Sequence, residues 1–288
     1  MDFRDRTAVV TGAASGIGRA LARAFAARGS CVALADVDDA GLEKVREELE
    51  SGGVRVYSQR VDVSSAEQVE DFCDNVFREF GRVDILCNNA GVGLGGAFQD
   101  IPLEDWRWIV GVNFWGVIHG CHFFYPRMIR QGGGGHIVNI SSAMALTPLP
   151  GATPYGTTKS AVLAFSEALR AEAAYFGIGV SAICPGFVLT NIFRSTRQCT
   201  PLPDQSFEES VAEAERRLRR RRHTPETVAE AVLKAVELNR GVVLICPETY
   251  LGDFFHRLTR RGYQWFARRS ASGYLEAAMK SRSLASGV

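Results

Sequence analysis

The chain has no CxxC cysteine pair, no long apolar run and almost no net charge, and each absence excludes a class of protein. Its seven cysteines stand scattered at 31, 73, 87, 121, 184, 199 and 246. An odd, unpaired set argues against a disulfide framework or a zinc site and for a reducing cytoplasm. No stretch approaches the ~18 apolar residues of a membrane span. The opening MDFRDRTAVVTG has charges and a short strand-like run where a signal peptide would carry its apolar region. Thirty-three Lys and Arg balance 32 Asp and Glu, a net charge of +1. No global field therefore draws the chain to nucleic acid or to an acidic partner.

What is present is apolar and regularly spaced. At 288 residues and 46% hydrophobic, the chain can bury a sizeable core as one unit. Short apolar runs predict strands at 7–12, 31–36, 54–63, 83–91, 136–142, 179–186 and 242–247. Helical patterns lie between them, at 19–29, 40–53, 64–81, 103–130, 155–176 and 224–238. Gly29 and Gly81 stop two of these helices, and Thr224 with Pro225 starts the last. Strands alternating with helices predict an α/β fold: a doubly wound, Rossmann-type parallel sheet of about seven strands with helices on both faces. Residues 1–288 form a single domain in this reading. Residues 187–224 are an insertion, and 248–288 a basic, aromatic C-terminal extension.

Two features carry chemistry. TGAASGIG (11–18) joins the first strand to the first helix, with Gly12, Gly16 and Gly18 at G-x3-G-x-G and Ser15 and Ile17 among them. Glycines there let backbone approach a pyrophosphate at a helix N-terminus. Asp36 ends the second strand, where a carboxylate can accept from both ribose hydroxyls and would repel a 2′-phosphate. NAD is therefore expected over NADP. The second feature is Tyr155 and Lys159, four residues apart on one helical face. Read alone, the pair is either a surface contact or a phenol prepared for proton transfer.

Taken in order, TGAASGIG, Asp62 in RVDV, NNAG (88–91), Asn113, Ser142, Y-x-x-x-K at 155–159 and PG at 185–186 followed by Thr190 give a chain that resembles the classical short-chain dehydrogenase/reductase family. The matches run almost continuously over 7–190; residues 191–288 match only in general layout. The resemblance implies that Asp62 and Val63 flank the adenine. Asn89, Ala90 and Gly91 would form the wall near the nicotinamide. Pro185, Gly186, Val188 and Thr190 would hold the cofactor's other end. It makes Asn113, Ser142, Tyr155 and Lys159 the catalytic set, with Ser142 favoured over Ser141 by spacing; strand alternation allows only one of the two to face a substrate. It also implies a homodimer or homotetramer.

A free phenol has a pKa of about 10, and bringing it towards ~7 needs roughly 4 kcal/mol at 1.36 per unit. Lys159 and a cationic nicotinamide are expected to supply this. Tyr155 would then move the alcohol proton, Ser142 would hold the substrate oxygen, and Asn113 would hold a water path. Lys159 would also hold the nicotinamide ribose. The substrate pocket is expected around Gly93, Leu94, Ser142, Ala143, Leu149, Tyr155 and Phe187. Its apolar character favours a hydrophobic secondary alcohol or ketone: a steroid, retinoid, terpene or lipid-like compound. The alternatives are a carrier-linked or CoA-linked carbonyl, a polar sugar-like one, or an NAD-binding sensor without turnover.

Three further features invite chemistry. His119 and His122, with Cys121 between them, lack an evident third metal ligand, so packing is expected and no metal. Trp106, Trp108, Phe114 and Trp115 read as packing or oligomer residues. RRLRRRRH (216–223) is either a solvated helix end or a phosphate or lipid contact. The tail repeats that pattern, with Arg257, Arg261, Arg268 and Arg269 among Phe254, Phe255, Tyr263, Trp265 and Phe266. It is read either as a peripheral membrane contact of a cytoplasmic protein, or as a cover for the site mouth or an oligomer interface.

Overall fold

The computed structural model describes residues 2–188, 192, 195–200, 216 and 223–286. The strands are β1 (Thr7–Thr11), β2 (Cys31–Asp36), β3 (Val56–Arg60), β4 (Ile85–Asn88), β5 (Leu94–Gly95), β6 (Gly135–Ile140), β7 (Ile178–Pro185), β8 (Arg197–Gln198) and β9 (Val242–Ile245). Seven of them form one all-parallel sheet in the order β3-β2-β1-β4-β6-β7-β9. The chain order reverses direction between β1 and β4, which opens a crevice at their carboxyl ends. The helices are α1 (Gly16–Ala27), α2 (Asp39–Ser51), α3 (Ala66–Phe80), α4 (Leu103–Val110), α5 (Gly116–Gln131), α6 (Thr153–Ala173), α7 (Pro225–Glu237), α8 (Pro247–Leu258) and α9 (Arg260–Ser286).

Every residue of β1, β4, β6 and β7 is buried, because both sheet faces are covered. Alternate residues serve opposite layers. Ala8 and Val10 pack with α1, α2 and α7 on one face; Val9, Ala33 and Ala35 pack with α3, α5 and α6 on the other. The predicted signals act as written. Gly81 closes α3 at φ +76°, and the Thr224 hydroxyl accepts from the Thr227 amide at 3.4 Å to open α7.

Three differences from the sequence reading matter. The helical stretch 103–130 is broken by a π-helical turn at Gly111–Trp115, which carries Asn113; such a widened turn redirects a side chain. A second, two-stranded sheet pairs β5 with β8. Asp84, unremarked in the sequence, is buried before β4 and accepts from Arg82 at 2.6 Å, Arg6 at 2.8 Å and the Thr7 amide at 3.0 Å. Burial opposes its ionisation, but these donors outweigh burial and hold the carboxyl below its ordinary range.

Candidate active site

The carboxyl ends of β1, β2, β4, β6 and β7 gather the predicted residues along one edge of the sheet. After β1 the loop turns at Gly12 with φ +66°, where a Cβ would lie 2.8 Å from Ala90 Cα. A Cβ on Gly18 would lie 2.0 Å from the Gly12 carbonyl oxygen. The loop thus closes so tightly on α1 that only glycine fits, with the first-turn amides of α1 at its rim. Asn89 Nδ2 donates to the carbonyls of Thr11 at 2.9 Å and Gly12 at 3.1 Å. The Thr11 hydroxyl accepts from the Asn89 and Ala90 amides. Asn89 therefore acts as a strut for the loop. Asp36 accepts from the Ala14 amide at 2.9 Å and the Asp38 amide at 3.0 Å, one per oxygen. Each carboxylate oxygen has a second acceptor site, so both retain capacity for a ribose hydroxyl.

The second cluster surrounds Gly91, where a Cβ would lie 3.3 Å from both Asn113 Oδ1 and Lys159 Nζ. The Asn113 amide is held by Val92, accepting from its N–H at 2.8 Å and donating to its carbonyl at 3.0 Å. Lys159 is buried, its Nζ donating to the Ile140 carbonyl at 2.9 Å and lying 5.9 Å from the Tyr155 ring centroid. The two serines separate as alternation requires. The Ser141 hydroxyl donates to the Lys159 carbonyl at 2.8 Å, while the Ser142 hydroxyl accepts from the Met144 amide at 3.2 Å and stands near enough to Tyr155 to favour its phenolate.

The electrostatics differ from the sequence reading. Burial raises the Tyr155 phenol above its ordinary value, and the nearby Ser142 hydroxyl opposes this only in part. Burial likewise pushes Lys159 down to about 8, with Cys184 acting the other way. For both groups desolvation is the largest influence, and Lys159 is not among the groups that act on the Tyr155 phenol.

The other predicted residues are placed as follows. Asp62 accepts from the Ser64 amide and hydroxyl at 2.9 and 2.7 Å. Val63 backs onto Gly116, where a Cβ would meet it at 2.7 Å, and its carbonyl lies 2.9 Å from His119 Nδ1. His122 instead meets the Phe123 ring. Among the described residues, no group of three His, Cys, Asp or Glu stands together as metal ligands. Pro185 ends β7, the Gly186 amide donates to the Ile245 carbonyl at 3.1 Å, and the Val188 side chain sits in the core. Ser15 precedes α1, and Ile17 packs against the core from its first turn. Thr190, most of the 187–224 insertion and most of the 216–223 run lie outside the described residues.

Around the mouth, Leu94 is buried with Ile101 and Ile109, and Tyr155 packs on that cluster. Gly93 is closed over by Thr196, whose hydroxyl lies 2.1 Å from where a Cβ would stand. Ala143 and Leu149 are half-buried, and Phe187 is exposed. Two further components stand here: Arg197, which escaped the sequence reading, and the tail, for which that reading held a cover of the site mouth as one alternative. Arg197 lies over the Trp108 ring at 3.7 Å and pairs with Asp105 at 2.6 Å, clamping β8 to α4. From α9, the Tyr263 hydroxyl donates to the Pro148 carbonyl, and the Tyr274 ring lies 2.9 Å from where a Cβ on Gly151 would stand. The tail therefore covers the loop that follows Ser142.

The sequence profile of the short chain dehydrogenase family matches residues 6–200. Over 249 residues, 86% of this chain, the sequence is 39% identical to a probable oxidoreductase, EphD, of Mycobacterium tuberculosis; this chain spans only 42% of that relative's length. A short-chain dehydrogenase/reductase from Burkholderia phymatum, solved with NAD, superposes with a TM-score of 0.82 at 33% identity, covering 89% of this chain and 94% of that one. An actinorhodin polyketide ketoreductase variant solved with NADPH superposes at 0.74 with 32% identity, covering 84% and 96%.

Proposed function

Because the chain belongs to the short chain dehydrogenase family of oxidoreductases, we propose that it interconverts a hydrophobic secondary alcohol and its ketone with NAD, using Tyr155 as acid and base. The observation that carries this reading is the run of contacts from Asn113 and Lys159 beside Gly91, through Lys159 near the Tyr155 ring, to Ser142 beside Tyr155, next to a glycine loop and Asp36 on the same sheet edge. A nicotinamide dinucleotide fits the residues present: the loop at Gly12 and Gly18 has room for backbone contact but none for a side chain. Asp36 and the α1 amides would hold its adenosine ribose and pyrophosphate, and Lys159 its second ribose. NAD is favoured over NADP because a 2′-phosphate would meet the Asp36 carboxylate. When bound, the nicotinamide supplies the hydride acceptor or donor.

The chain's own groups do the rest. Ser142 Oγ, fixed by the Met144 amide, holds the substrate oxygen beside Tyr155 Oη. Tyr155 Oη takes the alcohol proton in oxidation and returns it in reduction. Lys159, aimed by the Ile140 carbonyl, keeps positive charge near that phenol. Asn113, fixed on both sides of Val92, borders the route by which the proton reaches solvent. The apolar wall of Leu94, Leu149 and Phe187 selects a hydrophobic substrate. Trp115, half exposed beside α5, suits contact with a second copy in a homodimer or homotetramer. The protein would work in the cytoplasm.

The test is a panel of secondary alcohols and ketones run with NAD(H) and NADP(H), following reduced-nicotinamide absorbance. Turnover of apolar alcohols with NAD is expected. NAD binding without turnover of any member, or faster turnover with NADPH, overturns the corresponding part of the reading.

A further inference from the structure

An amphipathic helix on a globular core turns its apolar side inward. α8 does the reverse. Thr249 is buried, and Gly252, Asp253 and His256 are half-buried. Tyr250, Leu251, Phe254, Phe255 and Leu258 face solvent, with Leu251 70%, Phe254 63% and Leu258 69% exposed. The spacing i, i+1, i+4, i+5, i+8 places all five on one arc of the helix. Packing fixes this orientation. The Thr249 hydroxyl donates to the Ile245 carbonyl at 2.9 Å, and a Cβ on Gly252 would lie 3.1 Å from Thr147 Cγ2. Leu251 and Phe254 also line an apolar groove of about 640 Å³ between α8 and the start of α7.

α9, which follows α8 at once, carries exposed aromatic and apolar residues of its own. Trp265, Phe266 and Met279 are 66%, 49% and 58% exposed, and the exposed Arg261, Arg268 and Arg269 stand among them. The Arg269 guanidinium lies 6.0 Å from the Trp265 ring. Charge decides what covers this surface. Residues 253–288 hold seven of the 33 Lys and Arg but only two of the 32 Asp and Glu, so the end is basic while the remainder of the chain is net acidic. A second copy docked through this surface would set arginines against arginines. An anionic lipid surface complements them, and the aromatic rings suit its headgroup layer. We propose that α8 and α9 dock the chain on an anionic lipid bilayer, with the outward apolar face of α8 inserted at the interface. α9 also covers Pro148 and Gly151 beside Ser142. Docking therefore brings the site mouth to the bilayer, where apolar alcohols partition; this consequence rests on the dehydrogenase reading, whereas the docking itself does not.

The experiment is sedimentation of the full chain with phosphatidylcholine vesicles, with and without phosphatidylglycerol, at low and high salt. Sedimentation is expected with the anionic vesicles, weakening in high salt. Leu251→Ser with Phe254→Ser, and separately Arg261→Glu with Arg268→Glu, should each lower the bound fraction roughly tenfold. Because these side chains are exposed, the melting temperature and NAD affinity should hold. No sedimentation with anionic vesicles overturns the proposal, as does equal sedimentation of the chain and both double variants. So does light scattering showing self-association that the Leu251→Ser, Phe254→Ser pair abolishes and vesicles do not displace. Turnover is not a readout, so an inactive but vesicle-bound chain would sink the dehydrogenase reading alone.

Discussion

In the proposed reaction Tyr155 exchanges a proton where burial makes ionisation harder. Its phenol is raised, with only Ser142 opposing, and the ammonium expected to help it is itself pushed down to about 8. Tyr155→Phe removes the group proposed to carry the proton, yet leaves the glycine loop and Asp36 untouched. NAD affinity by fluorescence titration should stay within about twofold, while kcat falls by roughly 10²–10⁴. Unchanged kcat would remove Tyr155 from the mechanism. Lys159 gives a separate pH signature. It is charged below about 8 and loses its charge above, whereas the raised phenol keeps its proton through that range. Ketone reduction, which in the proposed mechanism uses the protonated phenol beside a charged lysine, should be flat at lower pH and decline as pH rises through about 8. A rate flat up to pH 10, the ordinary phenol value, would show that Lys159 does not set the limb.

The glycine loop works as an element because α1 and the loop are packed into each other. Gly18→Ala places a methyl group 2.0 Å from the Gly12 oxygen and 2.6 Å from Asn89 Nδ2. Neither backbone nor strut can yield without moving the loop. Overpacking of this kind costs about 1–3 kcal/mol, so the variant should still fold with a lowered melting temperature. Its NAD affinity should fall at least roughly tenfold, by the factor of ten per 1.4 kcal/mol. Calorimetric binding equal to the parent chain would contradict the close packing. This loop was legible in advance because its constraint is local: glycine spacing between an apolar run and a helix. The seven-strand sheet was legible for the same reason, through periodicity and turn residues. What escaped depends on contacts across the chain. The Arg197 clamp on Trp108 and Asp105 spans some ninety positions, and the Asp84 cluster joins residue 6 to residue 84. The π-turn that carries Asn113 leaves no mark in a helical pattern. The tail's aromatic residues were visible in the sequence, but only the fold shows that 247–258 forms a helix whose apolar arc faces outward.

At the scale of the molecule, one buried histidine couples acidity to the stability of the sheet. His136 in β6 lies 2.7 Å through Nε2 from the Ser181 hydroxyl in β7, which donates to the Arg240 carbonyl at 2.5 Å. The serine proton is thereby committed, so Nε2 is the donor, and burial keeps the ring neutral at neutral pH. Burial lowers this histidine from its ordinary 6.5 to about 4, and the Arg170 charge adds to the effect. Arg170 itself ties the Val180 and Asn239 carbonyls together, so a second positive charge arises where β7 meets the turn leading to β9. A lowered folded-state pKa means that the unfolded chain binds more protons between about 4 and 6.5. Stability is then complete above pH 6.5 and is lost as pH falls through that window, by about 2 kcal/mol at pH ~5 and about 3 kcal/mol in full. The Asp84 carboxyl is lowered from 3.8, so its loss comes at lower pH and does not confuse the two. His136→Gln keeps a donor for Ser181 but cannot titrate. Urea unfolding near neutrality should show the variant less stable than the parent through imperfect packing. Towards pH 5 the gap should shrink by about 2 kcal/mol, because only the parent chain loses the histidine contribution. A gap that stays constant between the two pH values would mean that His136 is not the acid-sensitive element of the sheet.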